Sequence, residues 1–159
     1  MENIAIYPGS FDPCTVGHLD IIERSSKIFD KVIVAVLANN SKTPTFTVQE
    51  RIDLLRTAAS HIDNVEICGF DGLLAEFAEQ KNAGVIIKGL RAVSDFEYEF
   101  QMSLINRRLN SNVETLFMTA TAENMYLSSS IVREVAMLGG SIDGMVPDII
   151  KDSIYKKYK

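Results

Sequence analysis

His18 is the side chain in this sequence best placed for chemistry on an anion, because of the residues that lead to it. An apolar run from Ile4 to Tyr7 is stopped by Pro8-Gly9, and the chain continues as Ser10-Phe11-Asp12-Pro13-Cys14-Thr15-Val16-Gly17-His18. It then enters an amphipathic segment with Leu19, Ile22, Ser26 and Phe29 on one face. Strand, loop and helix in that order leave unpaired backbone N–H groups at the helix entry, where the macrodipole favours negative charge. Gly9 and Gly17 allow a bulky phosphate close to the main chain. The loop is neither a G-x-G-x-x-G turn nor a loop closed by Gly-Lys-Ser/Thr, so it is not one of the two common phosphate fingerprints. Without its flanks, a lone histidine at this place reads as capping or packing a helix start; the flanking run favours a functional role.

Three further places offer groups of the same kind. Lys42 follows a strand in a polar loop, where a solvated surface lysine is the plain reading. Lys88 and Arg91 flank Gly89 at another strand end, an arrangement that suits phosphate or, alternatively, ion pairs with Asp95 or Glu99. Ser128-Ser129-Ser130 at a helix start offers hydroxyls and free N–H groups to phosphate oxygens, although serines are also ordinary N-caps. No serine–histidine pair with a placed carboxylate is evident, and there is no Cys/His cluster with metal spacing. His61, the second histidine, reads as the end of a surface helix. Cys68 reads as buried filling, and Cys14, in the site loop, as accessible.

The elements that must position these groups alternate regularly. Lys31 to Leu37 is a β-branched run suited to a strand buried on both faces, and Thr47 with Glu50 forms a capping box for a helix bearing Ile52, Leu55 and Ala59. Val65 to Cys68 is a short strand, Gly69 to Gly72 a turn, and Leu73, Leu74, Phe77 and Ala78 a helical face. Val85 to Ile87 is a strand leading into Lys88-Gly89-Leu90-Arg91, with Asp95 as N-cap of a helix through Phe96, Phe100, Leu104 and Ile105. Val113 to Met118 supplies another strand, Ile131, Val132, Val135 and Leu138 a helical face closed by Gly139-Gly140, and Pro147 opens the last helix. About five strands separated by helices predict a Rossmann-like α/β fold, a parallel sheet with helices on both faces. Ligands of such sheets lie beyond the carboxyl ends of the strands, where the unusual residues gather.

With 159 residues and no Gly/Ser/Pro-rich linker, residues 1–159 are expected to form a single domain. Hydrophobic residues at 47% and charged residues at 23% are ordinary for a soluble protein, and no apolar run approaches a membrane span. A net charge of -5 argues against nucleic acid as the main partner, which would require a basic face. The opening Met1-Glu2-Asn3-Ile4 has no signal-peptide character and two cysteines suit a reducing compartment, so the expectation is a cytoplasmic protein.

Thr15-Val16-Gly17-His18 resembles the T/H-x-G-H signature of the nucleotidyltransferase superfamily. The longer run Tyr7 to Pro13 with Thr15, Gly17 and His18 resembles the bacterial phosphopantetheine adenylyltransferase family. Ser128-Ser129-Ser130-Ile131-Val132-Arg133 resembles the second superfamily signature, I-S-S-S/T-x-x-R/K, with Leu127 replacing the usual isoleucine. Gly89 to Glu99 is similar to a third adenylyltransferase segment. The matches fall in the right order along the whole chain.

The resemblance implies reaction of ATP with 4′-phosphopantetheine to give dephospho-coenzyme A and pyrophosphate, by direct in-line attack of the substrate phosphate without a covalent enzyme intermediate. It assigns His18 to catalysis, and Ser10, Lys42, Leu74 and Lys88 to phosphopantetheine. It assigns Ser10, Phe11, His18, Gly89, Leu90, Arg91, Glu99, Asn124, Met125, Tyr126, Leu127, Ser128, Ser129 and Ser130 to ATP. Mg²⁺ is implied as a companion of ATP, with no metal site of the protein's own, and a homohexamer as the assembly; Phe96, Tyr98, Phe100 and Met102 crowd one helix start in keeping with a subunit interface. Ser10 stands where threonine is common, Lys88 where arginine is frequent, and Asn124 where some relatives have tryptophan. Two other readings share the site: nucleotide transfer to another phosphate such as nicotinate mononucleotide, and a non-catalytic nucleotide sensor.

Overall fold

The computed structural model describes residues 1–38, 43–91 and 93–159, so Lys42 lies outside the described residues. The elements are β1 (Ile4–Gly9), α1 (Val16–Ser26), β2 (Lys31–Leu37), α2 (Val48–Ala58), β3 (Val65–Phe70), α3 (Leu74–Gln80), β4 (Val85–Leu90), α4 (Val93–Leu109), β5 (Glu114–Thr119), α5 (Ser129–Met137) and α6 (Asp148–Lys156). A single 3₁₀ turn, Ala122–Asn124, stands between β5 and α5. Every strand pairing is parallel and the order is β3-β2-β1-β4-β5. This is the predicted Rossmann-like sheet.

The sheet is sandwiched because its central strands have no polar face. Val32 to Val36 are all buried. On one side Ala5, Tyr7, Val32 and Val34 pack with Ile21 and Ile22 of α1, Leu55 of α2, Val132 of α5, and Ile150 and Ile154 of α6. On the other, Ile6, Ile33, Ala35 and Ile86 meet Phe77 and Ala78 of α3. Each fully buried branched side chain stabilises the fold by about 1.5–3 kcal/mol relative to exposure.

From β1 the chain moves outward through β2 to β3, then returns to the opposite side of β1 for β4 and β5. The strand order therefore reverses at β1, and the crevice beyond the carboxyl ends of β1 and β4 is where such a sheet takes a ligand.

Several boundaries differ from the sequence reading. Gly69 and Phe70 belong to β3, and Lys88, Gly89 and Leu90 to β4, because ladder partners in β2 and β5 extend both strands: Gly69 pairs with Val36 and Lys88 with Phe117. Asp95 lies in the first turn of α4 rather than at its cap. On α4, Phe96, Tyr98, Phe100, Leu104, Ile105 and Leu109 are all exposed, and Met102 is half-buried. Among the described residues no helix is long and apolar enough to cross a membrane.

Candidate active site

The catalytic candidate is built into the cap of α1. Thr15 is the N-cap, and His18 takes the third helical position, where glutamate or glutamine usually completes a capping box. The Thr15 hydroxyl accepts a hydrogen bond from the His18 N–H at 3.2 Å, and the Thr15 N–H donates to His18 Nδ1 at 3.0 Å. A backbone N–H can only donate, so Nδ1 is an acceptor and the proton of the neutral imidazole is on Nε2. Burial, reinforced by the Arg91 guanidinium, pushes the imidazole down to about 4 from an ordinary 6.5. At neutral pH His18 is therefore an uncharged Nε2–H donor.

The loop before it is held from several sides. The Asp12 carboxylate accepts from the N–H groups of Thr45 and Phe46 at 3.0 and 2.9 Å, and Arg133 donates to the Asp12 carbonyl at 2.6 Å. Arg51, only 1% exposed, reaches from α2 to three carbonyls: Ser10 at 2.8 Å, Phe46 at 3.1 Å and Leu37 at 3.3 Å. Cys14, contrary to the expectation that it is accessible, is fully buried; its thiol donates to the Thr15 carbonyl and burial pushes it up to about 12. Cys68 is half-buried. His61 lies beyond the end of α2, 2.8 Å from Glu23 on the surface.

A cleft of about 420 Å³ opens at the reversal of strand order, between the ends of β1 and β4 and the starts of α1 and α5. That volume suits a small organic ligand. Ser10, Phe11, His18, Lys88, Gly89, Leu90, Arg91, Glu99, Asn124, Leu127, Ser128, Ser129 and Ser130 all line it. Leu74, Met125 and Tyr126 do not: Leu74 packs at the edge of the core beneath α3, and Met125 and Tyr126 are exposed beside the cleft.

The cations at β4 form the ion pairs that the sequence offers as one reading, and they do so inside the cleft. Lys88 is 3.2 Å from Glu99 and Arg91 is 3.3 Å from Asp95, while all four side chains line the cleft. Arg91 also donates to the Leu127 carbonyl at 3.0 Å, tying β4 to the approach to α5. The two cations are thus balanced by two carboxylates, and much of the cleft's attraction for an anion must come from its backbone.

The helix starts supply it. At α5 the serine hydroxyls are occupied: Ser128 caps Ile131 N–H at 3.2 Å, Ser129 donates to the Pro13 carbonyl at 2.7 Å, and Ser130 accepts from Arg133 at 3.3 Å. What α5 presents is the pair of N–H groups of Ser129 and Ser130, which have no intrahelical acceptor. At α1, Val16 N–H goes to the Met145 carbonyl at 2.9 Å and His18 N–H to Thr15, leaving the N–H of Gly17 in the cleft wall.

Asp95 and Glu99 are each committed to a cation, and among the described residues no cluster of three or more His, Cys, Asp or Glu side chains could hold a metal ion. These donors do not fit a protein-held Mg²⁺.

Sequence reasoning missed Thr15 as partner of the imidazole, and Asp12 and Arg51 as braces. The capping pattern at Thr15 is legible only once histidine is admitted at the glutamate position. Arg51 has no sequence signal, since an arginine in a capped amphipathic helix reads as surface.

A parallel sheet of this order, with an uncharged imidazole at the first helix entry and a backbone-lined cleft at the reversal point, is the framework of a nucleotidyltransferase. Residues 6–135 accordingly match the cytidylyltransferase-like family. The fold is similar to that of Plasmodium falciparum nicotinic acid mononucleotide adenylyltransferase complexed with NaAD, with a TM-score of 0.73 over 98% of this chain and 96% of that one, at 16% identity. In sequence the chain is 56% identical over 156 residues to the phosphopantetheine adenylyltransferase of Caldanaerobacter subterraneus subsp. tengcongensis, covering 98% of each. It is also 56% identical over 155 residues to the phosphopantetheine adenylyltransferase of Clostridium tetani, covering 98% of this chain and 97% of that protein. The chain belongs to the phosphopantetheine adenylyltransferase family, whose adenylyl transfer serves coenzyme A biosynthesis.

Proposed function

We propose that the protein transfers the adenylyl group of ATP to 4′-phosphopantetheine, giving dephospho-coenzyme A and pyrophosphate, by direct in-line displacement. A phosphate oxygen of phosphopantetheine attacks the α-phosphorus of ATP; the bond from that phosphorus to the bridging oxygen breaks, and pyrophosphate leaves with the electron pair. The observation that carries this reading is the locked His18: with Nδ1 occupied by Thr15, Nε2–H is the nitrogen available to charge growing on the phosphates. Two features support a route without a covalent enzyme intermediate. Cys14 is buried and protonated, and no base is hydrogen-bonded to the serines of the α5 start among their described bonds: Ser129 donates to the Pro13 carbonyl, and Ser128 and Ser130 accept from N–H groups.

In this proposal Lys88 exchanges Glu99 for the acceptor phosphate, Lys42 binds the same phosphate, and Leu74 contacts the pantetheine arm. Ser10, Phe11, Gly89, Leu90, Arg91, Glu99 and the segment from Asn124 to Ser130 hold ATP. Mg²⁺ would be part of the MgATP substrate rather than held by the protein, in keeping with its preference for phosphate ligands and retained water. A homohexamer working in the cytoplasm completes the proposal, supported by the apolar residues exposed along α4.

The test is product analysis by mass spectrometry after incubation with MgATP and either 4′-phosphopantetheine or nicotinate mononucleotide. Dephospho-coenzyme A from the first and no dinucleotide from the second is expected. A preference for nicotinate mononucleotide would overturn the assignment of acceptor.

A further inference from the structure

Phe11 adopts a backbone conformation that its side chain does not favour. Its φ is 50°, the left-handed region that a bulky residue rarely enters, and such strain persists only where the surroundings over-determine it. They do so here from both sides. The Ser10 carbonyl is gripped by Arg51 and the Asp12 carboxylate by the N–H groups of Thr45 and Phe46. The result is to turn the Phe11 ring inward, where it is 2% exposed.

The ring stands nearly perpendicular to two others. Its centroid is 5.3 Å from that of Tyr7 at an interplanar angle of 81°, and 4.9 Å from that of His18 at 74°. These are the T-shaped contacts that aromatic quadrupoles favour. On a third side is Gly9. A Cβ added there would come within 3.1 Å of two atoms of the Phe11 ring, closer than the ring could accept without moving. The absent side chain at Gly9 thus makes room for Phe11, a different role from the approach of a phosphate.

Thr15 selects the tautomer of His18, but its N–H at 3.0 Å and its hydroxyl at 3.3 Å both lie at Nδ1, so the ring can still tilt about that one nitrogen. The perpendicular contact with Phe11 removes that freedom. We propose that Phe11 is a positioning residue for His18: seated by Gly9 and backed by Tyr7, its ring aims Nε2–H into the cleft, and the strain at Phe11 is retained for that purpose. The proposal rests on the reading of His18 as the donor in adenylyl transfer, and it gives the Phe11 side chain a task separate from any contact of its backbone with ATP.

The experiment combines kinetics with ¹⁵N NMR of the His18 imidazole in the ligand-free protein. Phe11→Leu is expected to lower kcat about tenfold or more, since small misplacement of a reacting group is costly, while KM for both substrates stays within about twofold. Once the ring can tilt, the Thr15 hydrogen bond at Nδ1 is misaligned and its hold on the tautomer weakens, so the imidazole signals are expected to move from a clean Nε2–H tautomer toward an average of the two tautomers. Gly9→Ala, which retains the ring but crowds it, is expected to shift the same signals and carries the test should Phe11→Leu not fold. Combining both substitutions is expected to be no worse than Phe11→Leu alone, because the added methyl then has no ring to displace. An unchanged tautomer signature in both single variants, or fully additive losses in the double variant, would overturn the proposal. His18→Ala separates the two readings: wild-type turnover in that variant defeats the role of His18, whereas the NMR signature reports on positioning whatever the activity.

Discussion

Arg51→Leu removes the brace on which the loop between β1 and α1 depends. The side chain is 1% exposed and donates to the carbonyls of Ser10, Phe46 and Leu37, which join the ends of β1 and β2 to the approach to α2. Leucine fills much of the volume but donates nothing, so the buried Phe46 carbonyl is orphaned at about 1–3 kcal/mol, and the partly buried carbonyls of Ser10 and Leu37 lose a donor at smaller cost. Against this, the variant no longer buries a guanidinium, one of whose nitrogens, Nη2, has no partner. Burial holds the Arg51 pKa below its ordinary value, with only partial opposition from Asp12, so that relief is real. The balance is a net loss of about 3 kcal/mol. With a urea m-value of about 2 kcal/mol/M, the unfolding midpoint is expected to fall by about 1.5 M. Arg51→Lys, which keeps the charge and one or two donors, should lie between. A midpoint shift below about 0.3 M for Arg51→Leu would show that water or relaxation satisfies those carbonyls and would refute the account of the loop.

His18→Ala is expected to lower kcat by a factor of about 10² to 10³, the usual worth of one donor to developing charge, with ATP affinity within a few-fold; pyrophosphate release and equilibrium binding measure the two. Thr15→Val keeps the shape of the N-cap but not its acceptor, and should cost about 1 kcal/mol, a fall in Tm of roughly 2–4 °C, with Thr15→Ser restoring it. The depressed pKa of His18 also has a consequence for stability. Between about pH 6.5 and 4 the unfolded chain binds a proton at this site that the folded protein refuses, so acid destabilises the fold there. His18→Asn should therefore lose less stability than the wild type between pH 7 and pH 5, and a pH-independent gap in their urea midpoints would contradict the assignment.

Much of the fold was legible because strand burial and helix capping leave local marks. The run Lys31 to Leu37 announces a strand covered on both faces, and Thr47 with Glu50 announces the start of α2. Strand ends were less legible, since Lys88-Gly89-Leu90 becomes strand only through its ladder with β5, a partner far away in sequence. In the site, the cations flanking Gly89 and their candidate partners could be named but not which pairs with which: Lys88 faces Glu99 and Arg91 faces Asp95 across the first turns of α4, a choice that only the helix geometry makes. The seating of Phe11 between Tyr7, Gly9 and His18 was not legible at all, because nothing in an isolated phenylalanine signals a positive φ.

The central claim is that the acceptor phosphate displaces pyrophosphate directly, with His18 as an uncharged donor and no enzyme-bound adenylate. The stereochemical course at the α-phosphorus tests it most directly. With a single diastereomer of ATP thiosubstituted at the α-phosphate and labelled with ¹⁸O, one in-line displacement predicts inversion of configuration in the dephospho-coenzyme A analogue. Retention would require two displacements, hence a covalent adenylyl-enzyme, and would contradict the mechanism.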